Sequence, residues 1–148
     1  MFAILLTLLP NLQEVVIWQN NRSLPQTASM ISAIAQATLK SPDQKHALCK
    51  FHSFRMCQRG ENEDVARDIL VLFTAIPSLQ RITGINVNLR VPPHGRQPFQ
   101  KVNGWGPRPP TNVKSLVFEQ STVGYTAIPH LFAWGKFTML RKLSLIHI

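Results

Sequence analysis

His46, Cys49, His52 and Cys57 carry the donor atoms that a zinc ion takes, imidazole nitrogen and thiolate sulfur. Their spacing fits no standard zinc pattern, and an extended backbone there would split them between two faces. No metal is therefore expected at them. The acidic cluster Glu61-Asn-Glu-Asp64 is a second candidate for a cation. Carboxylates in the first turn of a helix also suit the positive end of its dipole, and the cluster is read as a helix start. Val65, Ile69, Leu72 and Phe73 then form the buried stripe of that helix. No Ser, Cys or Asp sits in a nucleophile elbow, no glycine loop precedes a helix as a phosphate cradle, and no carboxylates pair across a plausible cleft. Neither an enzyme nor a cofactor is expected.

These residues sit in a repeated phrase with apolar positions at offsets 0, 3, 6 and 8. It runs Leu9, Leu12, Val15 and Ile17, then Leu48, Phe51, Phe54 and Met56, then Ile76, Leu79, Ile82 and Gly84. A fourth copy has Pro110 first, followed by Val113, Leu116 and Phe118, and a fifth is Phe137, Leu140, Leu143 and Leu145. Aligned on the second offset, the units are 39, 28, 34 and 27 residues long. In a strand, alternate residues share a face, so offsets 6 and 8 both enter the core. Offsets 0 and 3 lie in the approach to the strand and pack against the helix layer. The glycine at 84, with Ile85 beside it, suggests a bulge or a one-residue slip in the third strand.

Periods in this range with an LxxLxL core mark leucine-rich repeats. The expected class is α/β: a leucine-rich-repeat solenoid with a parallel sheet on the concave face and helices on the convex face. One domain, 1–148, truncated at both ends, is expected to place strands near 15–17, 54–56, 82–85, 116–118 and 143–145. Helices are expected near 29–39, 63–75 and 126–134. The first extends over Gln26–Leu39, capped by Thr27 or Ser29, with Ile31, Ile34, Ala35 and Thr38 on one face. In the third, Ile128, Leu131 and Phe132 share a face and Gly135 is the stop. Residues 86–111 read as a long irregular loop, rich in proline and glycine, with Trp105 as an anchor to the fold or a contact for a partner.

The chain has 148 residues, is 45% hydrophobic and carries a net charge of +9. The charge raises nucleic acid as a partner, but Lys and Arg are spread along the chain with no run longer than Arg141-Lys142. A basic solvated surface is the better reading, and no nucleic acid and no membrane are expected as partners. Cys49 and Cys57 lie in or beside one strand, where they cannot pair easily, which points to a reducing compartment, cytoplasmic or nuclear. Phe2 to Leu9 is apolar but lacks a basic segment before it and a small-residue cleavage site after it. It reads as the end of a helix, with Met1 an internal methionine. The triplet Asn21-Arg-Ser23 is a glycosylation sequon, which matters only in a secreted protein.

Leu9-Pro-Asn-Leu12, Ile76-Pro-Ser-Leu79, the Pro/Gly-rich stretch into Asn112–Glu119, the Ala-Ile-Pro-His-Leu segment and Leu140-Arg-Lys-Leu143 together resemble fungal F-box and leucine-rich-repeat proteins. The resemblance implies repeats that hold the substrate of a ubiquitin ligase, with the ligase adaptor bound only through an F-box, which these residues do not contain. Residues 143–148, Leu-Ser-Leu-Ile-His-Ile, also look like the translation of CTG-TCT-CTT-ATA-CAC-ATC, a transposase adapter of sequencing libraries. They are read as artefactual, although Leu143 and Leu145 complete the fifth repeat.

The expected function is a protein-interaction module. A basic nucleic-acid binder and a secreted repeat protein are the alternatives. Residues alternating with the buried positions should project from the sheet toward a protein partner or substrate. They are Glu14, Val16 and Trp18, then Ser53 and Arg55, then Arg81 and Thr83, then Ser115, Val117 and Glu119. Trp18, Arg55 and Arg81 are the expected energetic centres, with Trp18 alternatively folding back over the end of the core.

Overall fold

A computed structural model describes residues 8–9, 11–19, 25–40, 48–58, 69–70, 73–89, 111–124 and 137–146. The expected helix at 126–134, the acidic cluster at 61–64, Val65, Leu72, His46 and Trp105 lie outside them. The described elements are β1 (Glu14–Gln19), α1 (Pro25–Lys40), β2 (Ser53–Gln58), β3 (Arg81–Ile85), β4 (Asn88–Leu89), β5 (Ser115–Glu119), β6 (Thr122–Val123) and β7 (Lys142–Ile146). The architecture is α/β-like, a mostly parallel sheet with few helices among the described residues. Five strands form the main sheet in chain order, β1-β2-β3-β5-β7, and every pairing in it is parallel. The expected strand positions all fall inside these five strands.

The apolar spacing has a local cause at each strand. The N–H groups of Leu12, Phe51 and Leu79 donate to the carbonyls of Leu9, Leu48 and Ile76, so offsets 0 and 3 close a turn that aims the chain into the sheet. Where Pro110 takes the first offset, Val113 N–H turns instead to Thr111 Oγ1 at 3.2 Å. Inside the sheet the register aligns the inward residues: Val15, Phe54, Ile82, Leu116 and Leu143 stand in one row, and Ile17, Met56, Gly84, Phe118 and Leu145 in the next.

Ile31 and Ile34 of α1 are buried against this sheet's core cluster. The helix begins at Pro25, so Thr27 and Ser29 lie inside it and are not its caps. Proline is suited to the first helical position because its missing N–H would have no partner there. Residues 69, 70 and 73 are helical, and Ile69, Leu70 and Phe73 are buried. Phe73 stacks on Phe54 at 3.8 Å and 5° between planes, and meets Phe51 at 6.1 Å, tying an approach residue and a strand residue to the helical layer.

The third strand has neither a bulge nor a slip. Met56, Gly84 and Phe118 align in register, and Gly84 occupies the inward offset itself. A Cβ there would meet Phe118 Cδ1 at 2.8 Å and Val87 Cγ2 at 2.9 Å. The absent side chain is thus the room taken by the phenyl ring and by Val87, both fully buried.

At the start of the expected 86–111 loop, residues 88 and 89 form a strand, while residues 90–110 lie outside the described residues. After β3 and β5, Asn86 and Gln120 adopt positive φ of 54° and 50°, and each donates its N–H to the next strand's end, to Glu119 O and Ile146 O. The chain then enters a second, two-stranded parallel sheet, β4 against β6. Between the sheets Ser121 is buried: its Oγ accepts the Val87 N–H at 3.0 Å and donates to Glu119 O at 2.8 Å.

The last strand leaves its inward side partly bare. Leu143 and Leu145, aligned with fully buried Leu116 and Phe118, are 40% and 39% exposed, and Met139 and Ile146 beside them are exposed too. Leu8 and Leu9 are exposed at the other end. An open apolar strand edge recruits other chains. Sedimentation should show self-association rising with concentration, relieved by Leu143→Lys with Leu145→Glu; a monomer at all concentrations would contradict this. Gly84→Ala should destabilise by about 1–3 kcal/mol through overpacking, read from urea unfolding, and Phe118→Leu in the same chain should recover part of that loss.

Candidate interaction face

The face of the sheet away from α1 is built by the residues between the buried ones. Its first row is Glu14, Ser53, Arg81, Ser115 and Lys142, its second Val16, Arg55, Thr83, Val117 and Ser144, its third Trp18, Cys57, Ile85, Glu119 and Ile146. Just before the strands comes Gln13, His52, Gln80, Lys114 and Arg141. The main chain aligns these rows. Each carbonyl of Gln13, His52, Gln80 and Lys114 accepts two successive N–H groups, those of 52 and 53, 80 and 81, 114 and 115, 141 and 142.

The ten residues expected on this face all lie on it, but they are not equally accessible. Glu14, Val16, Trp18, Arg55 and Arg81 are exposed, and Ser115, Val117 and Glu119 are half-buried. Ser53 and Thr83 are buried and are corrected from contact residues to filler. Ser53 sits between Glu14 and Arg81, shorter than both, and Thr83 sits between the long Arg55 and Val117, a side chain of its own size. Ser53 Oγ donates to Glu14 Oε1 at 3.2 Å, which holds that carboxylate over the sheet. Trp18 is 61% exposed, so it does not fold back over the core.

Side chains also link neighbouring strands at the start of the sheet. Lys50 Nζ donates to Asn11 Oδ1 at 2.7 Å, Lys114 Nζ to Gln80 Oε1 at 3.4 Å, and Asn112 Nδ2 to the Pro77 carbonyl at 2.7 Å. Sequence reasoning misses Cys57, Ile85, Lys142, Ser144 and Ile146 on this face. Their positions follow from the same alternation, but Cys57 and Lys142 fall just outside the expected strand bounds, residues 143–148 read as adapter-derived, and the third strand reads as slipped.

Among the described residues no group of three or more His, Cys, Asp or Glu is placed to hold a metal ion. Cys49 and His52 are exposed, whereas Cys57 is buried between Trp18 and Ile85. Among the described residues no helix is long and apolar enough to cross a membrane. No known protein family, characterised protein or solved structure matches the chain.

Neither Cys49 nor Cys57 forms a disulfide, and their burial differs. With a chromogenic disulfide reagent, one thiol per chain should react fast and the second at least about tenfold more slowly, since buried thiols are inert. Cys49→Ser should remove the fast phase. Loss of the slow phase in Cys49→Ser instead would show that Cys57 is open.

Proposed function

We propose that this chain is a protein-interaction module, a leucine-rich-repeat solenoid whose parallel sheet is the concave, partner-binding face. The observation that carries this reading is Val16 and Trp18, 47% and 61% exposed, next to Arg55 and Arg81 on the open face of a parallel sheet. Parallel sheets are almost always covered on both faces. A large aromatic and an aliphatic side chain held in water on such a face, beside arginines, match the composition of binding hot spots. The repetition of the same turn and the same doubly used carbonyl from strand to strand supports the solenoid, in which each unit is buried by its neighbours.

The resemblance to fungal F-box and leucine-rich-repeat proteins extends the reading to the substrate-recognition repeats of a ubiquitin ligase subunit. In that role the sheet face holds the substrate, and the adaptor is reached through an F-box elsewhere in the protein. The enzyme chemistry belongs to the ligase and not to these residues.

The test is a comparative affinity purification. Trp18→Ala, Arg55→Ala and Arg81→Ala should each reduce recovery of the bound proteins at least about fivefold, the scale of a hot spot costing above 1 kcal/mol. Gln36→Ala and Lys40→Ala, exposed on α1, should leave recovery unchanged. The reverse pattern, helix substitutions abolishing recovery while the arginines are silent, would move the partner to the other side of the molecule.

A further inference from the structure

The outward rows carry Arg55 beside Val16, then Arg81 and Lys142, and further positive charge lies just before β5 and β7. Arg81, Lys114, Arg141 and Lys142 stand at the starts of three neighbouring strands, β3, β5 and β7. Neighbouring strands are about 4.8 Å apart, so these four cations fall within about 10 Å across the sheet. Lys114 and Arg141 immediately precede β5 and β7, and Lys114 Nζ donates to the amide oxygen of Gln80 at 3.4 Å. Like charges set side by side on a sheet oppose its formation. The carboxylates described on the face lie elsewhere. Glu14 is on β1 with its Oε1 accepting from Ser53, and Glu119 is four residues along β5 from Ser115, which stands in the row of Arg81 and Lys142. At the opposite corner the same face turns apolar, with exposed Val16 and Trp18 on β1.

Resting on the reading of this face as a docking surface, we propose that its partner is an acidic polypeptide segment. Its carboxylates lie on Arg81, Lys114, Arg141 and Lys142, and an apolar residue of the same segment covers Val16 and Trp18. Charge complementarity identifies the acidic end: Arg81, Lys114, Arg141 and Lys142 lie at the starts of three adjacent strands, where no carboxylate is placed among the described residues. The apolar corner identifies the other end, and it separates a polypeptide from a nucleic acid, whose phosphates would meet Glu14 and Glu119 along the remaining path. The geometry sets a length. From Lys142 to Trp18 the face spans four strand spacings and four residues along a strand, a diagonal of about 23 Å. An extended chain covers that in about seven residues.

Fluorescence anisotropy on the full chain tests this with three labelled probes. One is a twelve-residue peptide with four glutamates at one end and a Leu-Phe pair seven residues beyond them. The second carries glutamines for the glutamates, and the third is a twelve-nucleotide single-stranded RNA. The acidic peptide should bind at least tenfold more tightly than the neutral one, with an affinity that falls as salt rises. Arg81→Glu and Lys142→Glu should each weaken it at least fivefold. Lys40→Glu, the same charge change at the exposed end of α1, should weaken it less than twofold, with circular dichroism confirming the fold of each variant. Equal loss from Lys40→Glu would assign the effect to net charge and overturn the proposal, and so would no binding of the acidic peptide or tighter binding of the RNA. If the two peptides bind equally and Trp18→Asp abolishes both, the acidic partner is wrong while the docking face stands.

Discussion

One carbonyl oxygen per strand sets the geometry of this molecule. Gln13, His52, Gln80 and Lys114 each direct a peptide oxygen at two successive N–H groups of the following strand, immediately before the regular ladder begins. A sheet slipped by one residue would exchange every inward and outward side chain. With the first contact of each strand pinned twice, the strand enters in a single register. The rows Val15-Phe54-Ile82-Leu116 and Glu14-Ser53-Arg81-Ser115 then follow on opposite faces. The turn that precedes each carbonyl, from Leu9 to Leu12 and its equivalents, orients it. Packing of Phe51 and Phe54 against Phe73 keeps that turn in place.

This constraint explains why the interior tolerates a glycine where its neighbours carry Met56 and Phe118. The backbone of β3 is held in register by its partners, so losing a side chain at 84 does not loosen the strand. The Phe118 ring and Val87 close into the space, and burying a ring of that size is worth about 1.5–3 kcal/mol. The same economy of space acts on the outer face. Ser53 is short between Glu14 and Arg81, and Thr83 is short beside Arg55, which leaves those three longer side chains standing clear.

The outer face combines two properties that oppose stability, an exposed tryptophan and valine at one corner and concentrated positive charge at another. Folding alone explains neither, since both would be improved by smaller polar residues. A surface that holds apolar area and like charges in water is poised to gain free energy when a partner covers them. The interaction reading proposed for this chain rests on that argument and does not depend on where its strand phrase has been seen before.

The sequence alone determined the strand positions and the spacing between them. Apolar residues at offsets 6 and 8 can be buried together only in an extended segment, and the 39-, 28-, 34- and 27-residue intervals reappear as the register of Glu14 with Ser53, Arg81, Ser115 and Lys142. It also identified which residues alternate outward, because side-chain alternation is a local property of the strand. Tertiary structure alone decided what a neighbour does to each position. Gly84 reads as a fault because the sequence does not show that Phe118 reaches across to it. Ser53 and Thr83 read as contacts because burial by adjoining strands is not encoded in their own segment. The strands β4 and β6, two residues each, carry no periodic signal and exist only because positive φ at Asn86 and Gln120 sends two distant segments side by side.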